Sequence, residues 1–350
     1  MPPAARANVS AALVNDVSST HSGHWSTGII GMRYLHAALT SEGASSLALD
    51  SLLTVDYPSF GYWFADPLEP ATTLNELPDG AAEGPGMNSR NHHMFASVGG
   101  WLFEDLLGVG QARPFTAAYA PDAPSAHGFK HAVIFPRATG NAAVPYASGS
   151  YASIAGTYTV AWQTLGAGAA TCVADAPENA PVTLSCAGGV IAGVTFASFG
   201  TPTGSCTAGF AKGACDAANS TAIVAAACVG QPSCTLNIGV DIFGDPCFDT
   251  LKHFDAAITC SAAIAGAVAL TVTVPANAAA RVRLPFTGAL PAGVRVTESG
   301  TTVWAAGAFV PGAAGVVSAA VGTDDLPVGV STLDFEVLAG TFVFVPSGPA

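Results

Sequence analysis

The chain has 350 residues, half of them hydrophobic and only 10% charged, which excludes a disordered segment and a coiled coil. Its 24 acidic and 11 basic residues give a formal net charge of −13, so nucleic acid and anionic membranes would meet repulsion. The longest apolar run, Ala262 to Val274, is shorter than the about 20 residues that span a bilayer.

The first 110 residues predict helices. Ala4 to Ser19, Thr27 to Leu39 and Ser45 to Val55 place apolar residues at three- and four-residue intervals. A fourth helix is expected from about Asn88 to Leu107, with Val98, Trp101, Leu102 and Leu106 on one face. The long connection before it holds Tyr57-Pro58-Ser59-Phe60-Gly61 and Ala71-Thr72-Thr73-Leu74-Asn75-Glu76. Loops of such length are usually functional. From residue 111 the texture changes to Pro, Gly and short β-branched runs: His131 to Phe135, Tyr151 to Ile154 and Thr157 to Trp162. It returns in Leu270-Thr-Val-Thr-Val, Ala280-Arg-Val-Arg-Leu, Gly293-Val-Arg-Val-Thr and Thr341-Phe-Val-Phe-Val. Short alternating strands with frequent turns predict a β-sandwich, interrupted by what lies between.

That interruption contains all eight cysteines, between Cys172 and Cys260. Eight cysteines in about ninety residues read as a disulfide framework, with 105 pairings open on arithmetic alone. No pair has the C-x₂-C spacing of a zinc ribbon. His92-His93 and His21-x-x-His24 lack a third ligand, so no metal and no cofactor is expected. The cysteines and the sequons Asn8-Val9-Ser10 and Asn219-Ser220-Thr221 suit a secretory route. The N-terminus MPPAARANVS cannot serve as a signal peptide, so the signal is expected outside this chain.

Within the cysteine block, Phe196-Ala197-Ser198-Phe199-Gly200-Thr201-Pro202-Thr203-Gly204-Ser205-Cys206 resembles the sea-urchin-egg-lectin type, or galactose/rhamnose-binding, lectin domain. Lys212-Gly213-Ala214-Cys215, Cys228-Val229-Gly230 with Cys234, and Phe243-Gly244-Asp245-Pro246-Cys247 carry the same resemblance, in wording similar to copies attached to plant β-galactosidases. The resemblance implies an α+β fold and the disulfides Cys172–Cys206, Cys186–Cys260, Cys215–Cys247 and Cys228–Cys234. It further implies that Glu178, Asp245 and Lys252 hold sugar hydroxyls, acidic acceptors beside a cationic donor. Read alone, Asp245 could equally cap a turn and Lys252 be a solvated charge. Rhamnose binders of this type carry Tyr-Gly-Arg where this chain has Phe199-Gly200-Thr201, and Gly where it has Asp249.

The flanking residues resemble the C-terminal part of an α-L-rhamnosidase. The motifs are Gly23-His24-Trp25-Ser26-Thr27-Gly28-Ile29-Ile30-Gly31, Tyr57-Pro58-Ser59-Phe60-Gly61-Tyr62, the 71–76 loop and Met87-Asn88-Ser89-Arg90-Asn91-His92. Gly128-Phe129-Lys130-His131 and Val294-Arg295-Val296-Thr297-Glu298-Ser299-Gly300 continue the series. A partial (α/α)6 barrel is thereby implied over 1–112, a discontinuous β-sandwich over 113–168 and 262–348, and the lectin domain over 172–260. That reaction is an inverting hydrolysis needing two carboxyls roughly 6.5–9.5 Å apart. The resemblance assigns the general base to Glu76 and a sugar contact to His92, although a single Glu in a long loop could simply be solvated. Asn75 replaces the Trp expected before the Glu. The general acid is expected upstream of Met1, which makes the chain part of a longer enzyme, inactive alone, or a lectin with a vestigial hydrolase segment. Its expected partners are rhamnose- or galactose-bearing glycans and the upstream part of the same enzyme.

Overall fold

The computed structural model describes residues 3–68, 70–80, 84–86, 89–111, 127–165, 172–186, 190–231, 233–260, 264 and 266–348. They form two compact units, one comprising 1–162, 274–289 and 321–334 and the other 163–273, 290–320 and 335–350.

The first unit opens with helices α1 (Pro3–Asn15), α2 (Ile29–Ser41), α3 (Ser45–Leu53) and α4 (Phe60–Ala65). Helix α1 runs on into a wider π turn over Asp16–Thr20. In α2 the buried residues Met32, Leu35, His36, Leu39 and Thr40 make one stripe of helical period, which packs on Ala48 and Leu49 of α3 and on Trp25, Trp63 and Phe95. The expected loop over 57–61 in fact gives way to α4. Ser59 caps it, its Oγ accepting the Tyr62 amide at 2.9 Å, and burial of Trp63 rewards the turn. The fourth helix starts later than its periodicity suggested. Residues 89–92 are non-helical, and the helical stretch runs through His93–Ser97, α5 (Val98–Trp101) and Leu102–Leu107 with changing pitch. Gly99 and Gly100 inside it weaken any single regular helix.

His36 is sealed in this core at 1% exposure, with Ser51 Oγ at 3.3 Å and the Trp101 ring 5.5 Å away. Burial pushes its pKa down to about 4. Because the folded pKa lies below the unfolded one, the stabilisation is complete above pH 6.5 and is lost as pH falls through 4. A loss of roughly 3 kcal/mol is expected over that window, read by tryptophan-monitored denaturation and reduced in His36→Gln.

The strands of the chain are β1 (Val109–Gln111), β2 (His131–Ile134), β3 (Tyr146–Ser153), β4 (Gly156–Thr164), β5 (Cys172–Pro177), β6 (Pro181–Ser185), β7 (Ile191–Gly200), β8 (Thr203–Ser205), β9 (Gly209–Ala211) and β10 (Ser233–Asn237). They continue with β11 (His253–Cys260), β12 (Val268–Val274), β13 (Ala279–Thr287), β14 (Arg295–Glu298), β15 (Thr301–Ala305), β16 (Ala308–Phe309), β17 (Val316–Val321), β18 (Val330–Val337) and β19 (Gly340–Ser347). Every β-branched run singled out in the sequence lies on or overlaps a strand. In the first unit β2 pairs antiparallel with β1 and parallel with β13. The inward Arg283 of β13, 4% exposed, is neutralised by Asp334 at 3.1 Å and lies 4.9 Å from the centre of the Phe135 ring. A buried cation of this kind requires such partners.

In the second unit β11 lies between β5 and β7, both antiparallel to it, while β6 pairs with β10 and β8 with β9. Helix α6 (Ser220–Cys228) lies against β7, and its Ser220 Oγ accepts the Phe199 amide at 3.1 Å and donates to the Ala217 carbonyl at 2.7 Å. A core of Leu184, Ile191, Phe199, Val224, Phe243 and Phe254 results. The four disulfides Cys172–Cys206, Cys186–Cys260, Cys215–Cys247 and Cys228–Cys234 are those the lectin resemblance implies, with Cα separations of 5.3 to 5.9 Å. Strand β14 joins β15 and β19 in another sheet of this unit, β15 pairing in turn with β16. Among the described residues, no helix is long and apolar enough to cross a membrane.

Candidate functional site

Two places gather the residues singled out in the sequence, one in each unit. In the second unit the short helix α7 (Val240–Phe243) anchors Phe243 against Phe199 and Phe254, with ring centroids 5.3 and 5.4 Å apart. Gly244, at φ 77°, then turns the chain out of the core and delivers Asp245 to the surface. From there the chain loops back to β11, and Lys252 Nζ meets Asp245 Oδ1 at 2.9 Å, closing the loop on itself.

Asp245 and Lys252 differ in setting. The Lys252 side chain is 6% exposed and also donates to the Thr250 carbonyl at 3.0 Å, whereas Asp245 is 40% exposed and accepts the Cys247 amide at 3.1 Å. The Lys252 ammonium, and less strongly the Cys247 amide, hold the Asp245 carboxyl below its ordinary range. The pair therefore presents a carboxylate acceptor beside an ammonium held by Asp245 and the Thr250 carbonyl. That is a donor–acceptor geometry suited to adjacent hydroxyls.

Glu178 follows β5, which pairs with one edge of β11. Pro177 pairs with His253, so the end of β5 brings the Glu178 backbone alongside the start of the strand that Lys252 precedes. The structure thus couples Asp245 and Lys252 directly and places Glu178, half-buried, at the neighbouring strand end.

The two departures from the lectin pattern have local explanations. Asp249 adopts φ 58°, the left-handed region that glycine occupies most easily and that Asp tolerates better than most residues. Thr201 replaces a cation; its Oγ1 accepts the Cys215 amide at 3.3 Å while its own amide donates to the Cys215 carbonyl at 2.9 Å, which keeps the strand end in place. Gly200 beside it could carry no side chain, since a Cβ would lie 2.1 Å from the Cys215 carbonyl oxygen.

A β-bulge lies next to this site. Val173 and Ala176 pair with Ala256 and Phe254, so Ala174 and Asp175 together oppose Asp255 alone. Ligand atoms of Asp175, His253 and Asp255 consequently lie within 4.8 Å of one another, a grouping the sequence reading did not identify. Their contacts are already those of a bulge: Asp255 Oδ1 accepts the Asp175 amide at 2.7 Å, and His253 Nε2 lies 3.0 Å from the Pro202 carbonyl.

In the first unit, the loop carrying Glu76 is tied to the segment carrying His92 by backbone hydrogen bonds. The Glu76 amide donates to the Ser89 carbonyl at 2.8 Å, the His92 amide to the Leu74 carbonyl at 2.6 Å, and Thr73 Oγ1 to the Arg90 carbonyl. Residues 16 apart in sequence are thereby brought onto one short two-stranded crossing. Asn75, immediately before Glu76, is 5% exposed. Beneath lies an aromatic cluster of Trp25, Phe60, Trp63 and Phe95, and His92 sits 6.5 Å from Phe95. His24 Nδ1, 3.1 Å from the Pro58 carbonyl, ties the Gly23–Gly31 motif to the Tyr57–Tyr62 motif. His92 Nδ1 and the indole nitrogens of Trp25 and Trp63 are buried without a hydrogen-bond partner among the described residues. Met87 and Asn88, named in the sequence motif, lie outside the described residues.

Both resemblances read from the sequence hold against known proteins. Residues 1–106 match the family described as the bacterial alpha-L-rhamnosidase 6 hairpin glycosidase domain. Residues 184–260 match the D-galactoside/L-rhamnose binding SUEL lectin domain. An alpha-L-rhamnosidase of Streptomyces avermitilis is 33% identical over 146 residues, 40% of this chain and 12% of that protein. Beta-galactosidase 8 of Arabidopsis thaliana is 39% identical over 72 residues, 21% of this chain and 8% of that protein. The chain thus spans a small part of the length of these relatives. The solved alpha-L-rhamnosidase of Dictyoglumus thermophilum shares the fold over 96% of this chain and 22% of its own, with TM-score 0.51 at 17% identity.

Proposed function

We propose that this chain, which joins an α-L-rhamnosidase-type helical segment to a galactose/rhamnose-type lectin segment, is a carbohydrate-binding portion of a rhamnosidase-type glycoside hydrolase. The observation that carries this reading is the Asp245–Lys252 pair, 2.9 Å apart, in the disulfide-stapled segment 172–260. Glu178, Asp245 and Lys252 supply hydroxyl contacts to a terminal rhamnose or galactose. The lectin then keeps the hydrolase near its polymer, raising effective substrate concentration without altering the chemistry.

The helical segment is assigned to the C-terminal hairpins of an (α/α)6 barrel, and the strands of 113–168 and 262–348 to a β-sandwich. Exposed Ile30, Tyr34, Phe64 and Leu68, at 62% to 79%, support the assignment, since hairpins of such a barrel bury these faces against others. Within it Glu76 takes the general-base role and His92 contacts sugar, with the acid supplied by another part of the enzyme. No metal or cofactor has a part in this scheme. Four disulfides support a secreted location.

The test is retention of the oxidised full chain on immobilised L-rhamnose and D-galactose, with elution by the free sugar. Retention on at least one matrix, lost in Asp245→Ala, is the expected result. Passage through both columns with the disulfides intact would remove the lectin reading.

A further inference from the structure

We propose that Phe248, with Leu251 beside it, is a stacking platform in the lectin loop that lies against the C–H face of the sugar held by Asp245 and Lys252. The inference rests on the carbohydrate reading above and adds to it the residues that select among sugars.

Among the described residues of the second unit, the two most exposed large apolar side chains are Phe248 at 91% and Leu251 at 90%. Single exposed apolar residues are ordinary on any surface. Here two lie within four residues of each other, and both lie in the loop that the Asp245–Lys252 ion pair closes. Cys247, whose amide holds Asp245 Oδ1, is chemically bonded to Phe248, and Leu251 directly precedes Lys252. Leu251 is therefore attached next to the lysine of the polar pair, and Phe248 next to the residue whose amide holds its aspartate.

The loop is anchored on both sides of Phe248 and Leu251. Cys247 is tied to Cys215, Lys252 is buried, and Thr250 offers its carbonyl to Lys252. Phe248 and Leu251 are thus presented from a constrained backbone, which lowers the ordering cost of ligand contact.

A pyranose has two chemical surfaces. Its hydroxyls require acceptors and donors, which the Asp–Lys pair supplies, and its C–H face requires an apolar partner, which the pair cannot supply. An aromatic ring beside a charged pair is what such a ligand needs, since the ring face is apolar and electron-rich. The ligand class is therefore a terminal sugar with one face or edge free of hydroxyls, as in galactose or a 6-deoxyhexose. Sugars with hydroxyls on every edge are disfavoured.

The exposure of Phe248 also makes the inference clean to test, because trimming a side chain that packs on nothing leaves no cavity. The oxidised full chain is titrated with methyl α-L-rhamnopyranoside and methyl β-D-galactopyranoside. For whichever probe binds, Phe248→Ala is expected to weaken binding by about tenfold, Leu251→Ser by less, and Phe248→Trp to stay near wild type. Unchanged affinity in Phe248→Ala, together with loss in Asp245→Ala, overturns the platform while leaving the sugar site standing. Absence of binding by the wild type to both probes overturns the sugar site, and the platform with it. Wild-type self-association in sedimentation that Phe248→Ala abolishes, with sugar affinity unaltered, assigns the patch to a second copy and also overturns the proposal.

Discussion

Replacing Cys186 and Cys260 together by alanine should lower stability by about 4.5 kcal/mol, the largest penalty of any disulfide here. The pair closes 74 residues of chain, against 34, 32 and 6 for the other three. In the chain-entropy description the cost grows with the logarithm of loop length, giving about 3.7 kcal/mol for the two middle bonds and about 2 for Cys228–Cys234. Geometry points the same way. Cys260 ends the central strand β11, and Cys186 follows β6, so this one bond joins the two small sheets around the Leu184–Phe254 core. A segment this small buries too little apolar surface to do without its staples. Guanidinium denaturation of the four paired-alanine variants ranks the penalties directly. A Cys228–Cys234 loss costlier than the Cys186–Cys260 loss would show that local packing, not loop closure, sets the stability of this segment.

Lys252→Ala should reduce affinity for the bound sugar by about a hundredfold, equivalent to about 2.7 kcal/mol. The ammonium is almost entirely buried, so its removal deletes a charge-assisted donor and also leaves the Thr250 carbonyl and Asp245 without their partner. The Asp245 pKa should then return upward toward its ordinary range, because its main depressing contact is gone. Lys252→Arg is expected to recover only part of the affinity, since a planar fork cannot occupy the site of a compact ammonium. Calorimetric titration at neutral pH measures the affinities, and the carboxyl resonance of Asp245 followed against pH measures the titration. Full affinity in Lys252→Ala would mean that the buried lysine serves the loop alone.

How far the sequence carried depended on whether the determining contact was local. The stripe of α2 is periodic, and its buried residues fall where the spacing of Met32, Leu35 and Leu39 put them. Helix α4 was missed because it is six residues long, too short for a period to show, and depends on the Ser59 cap and the burial of Trp63. The late start of the helix at His93 follows from competition: the residues ahead of it pair with the 73–76 loop, which offers their amides and carbonyls partners a helix would otherwise supply. Asp245 and Lys252 were named only through the lectin resemblance, and the structure adds that they meet, one buried and the other open. The Asp175–Asp255 bulge was not legible, since a two-against-one strand register leaves no periodic mark. Phe248 could have been noticed as a large apolar residue between Cys247 and Asp249, but exposure is a property only the fold reveals.

The most direct test of the lectin reading is a calorimetric titration of the oxidised full chain with L-rhamnose and with D-galactose. Saturable binding of one sugar per chain is the expected result, for at least one of the two and with the signal absent in Asp245→Ala. No saturable heat with either sugar, from a protein whose four disulfides are verified, would contradict it and leave the stapled segment as scaffold alone.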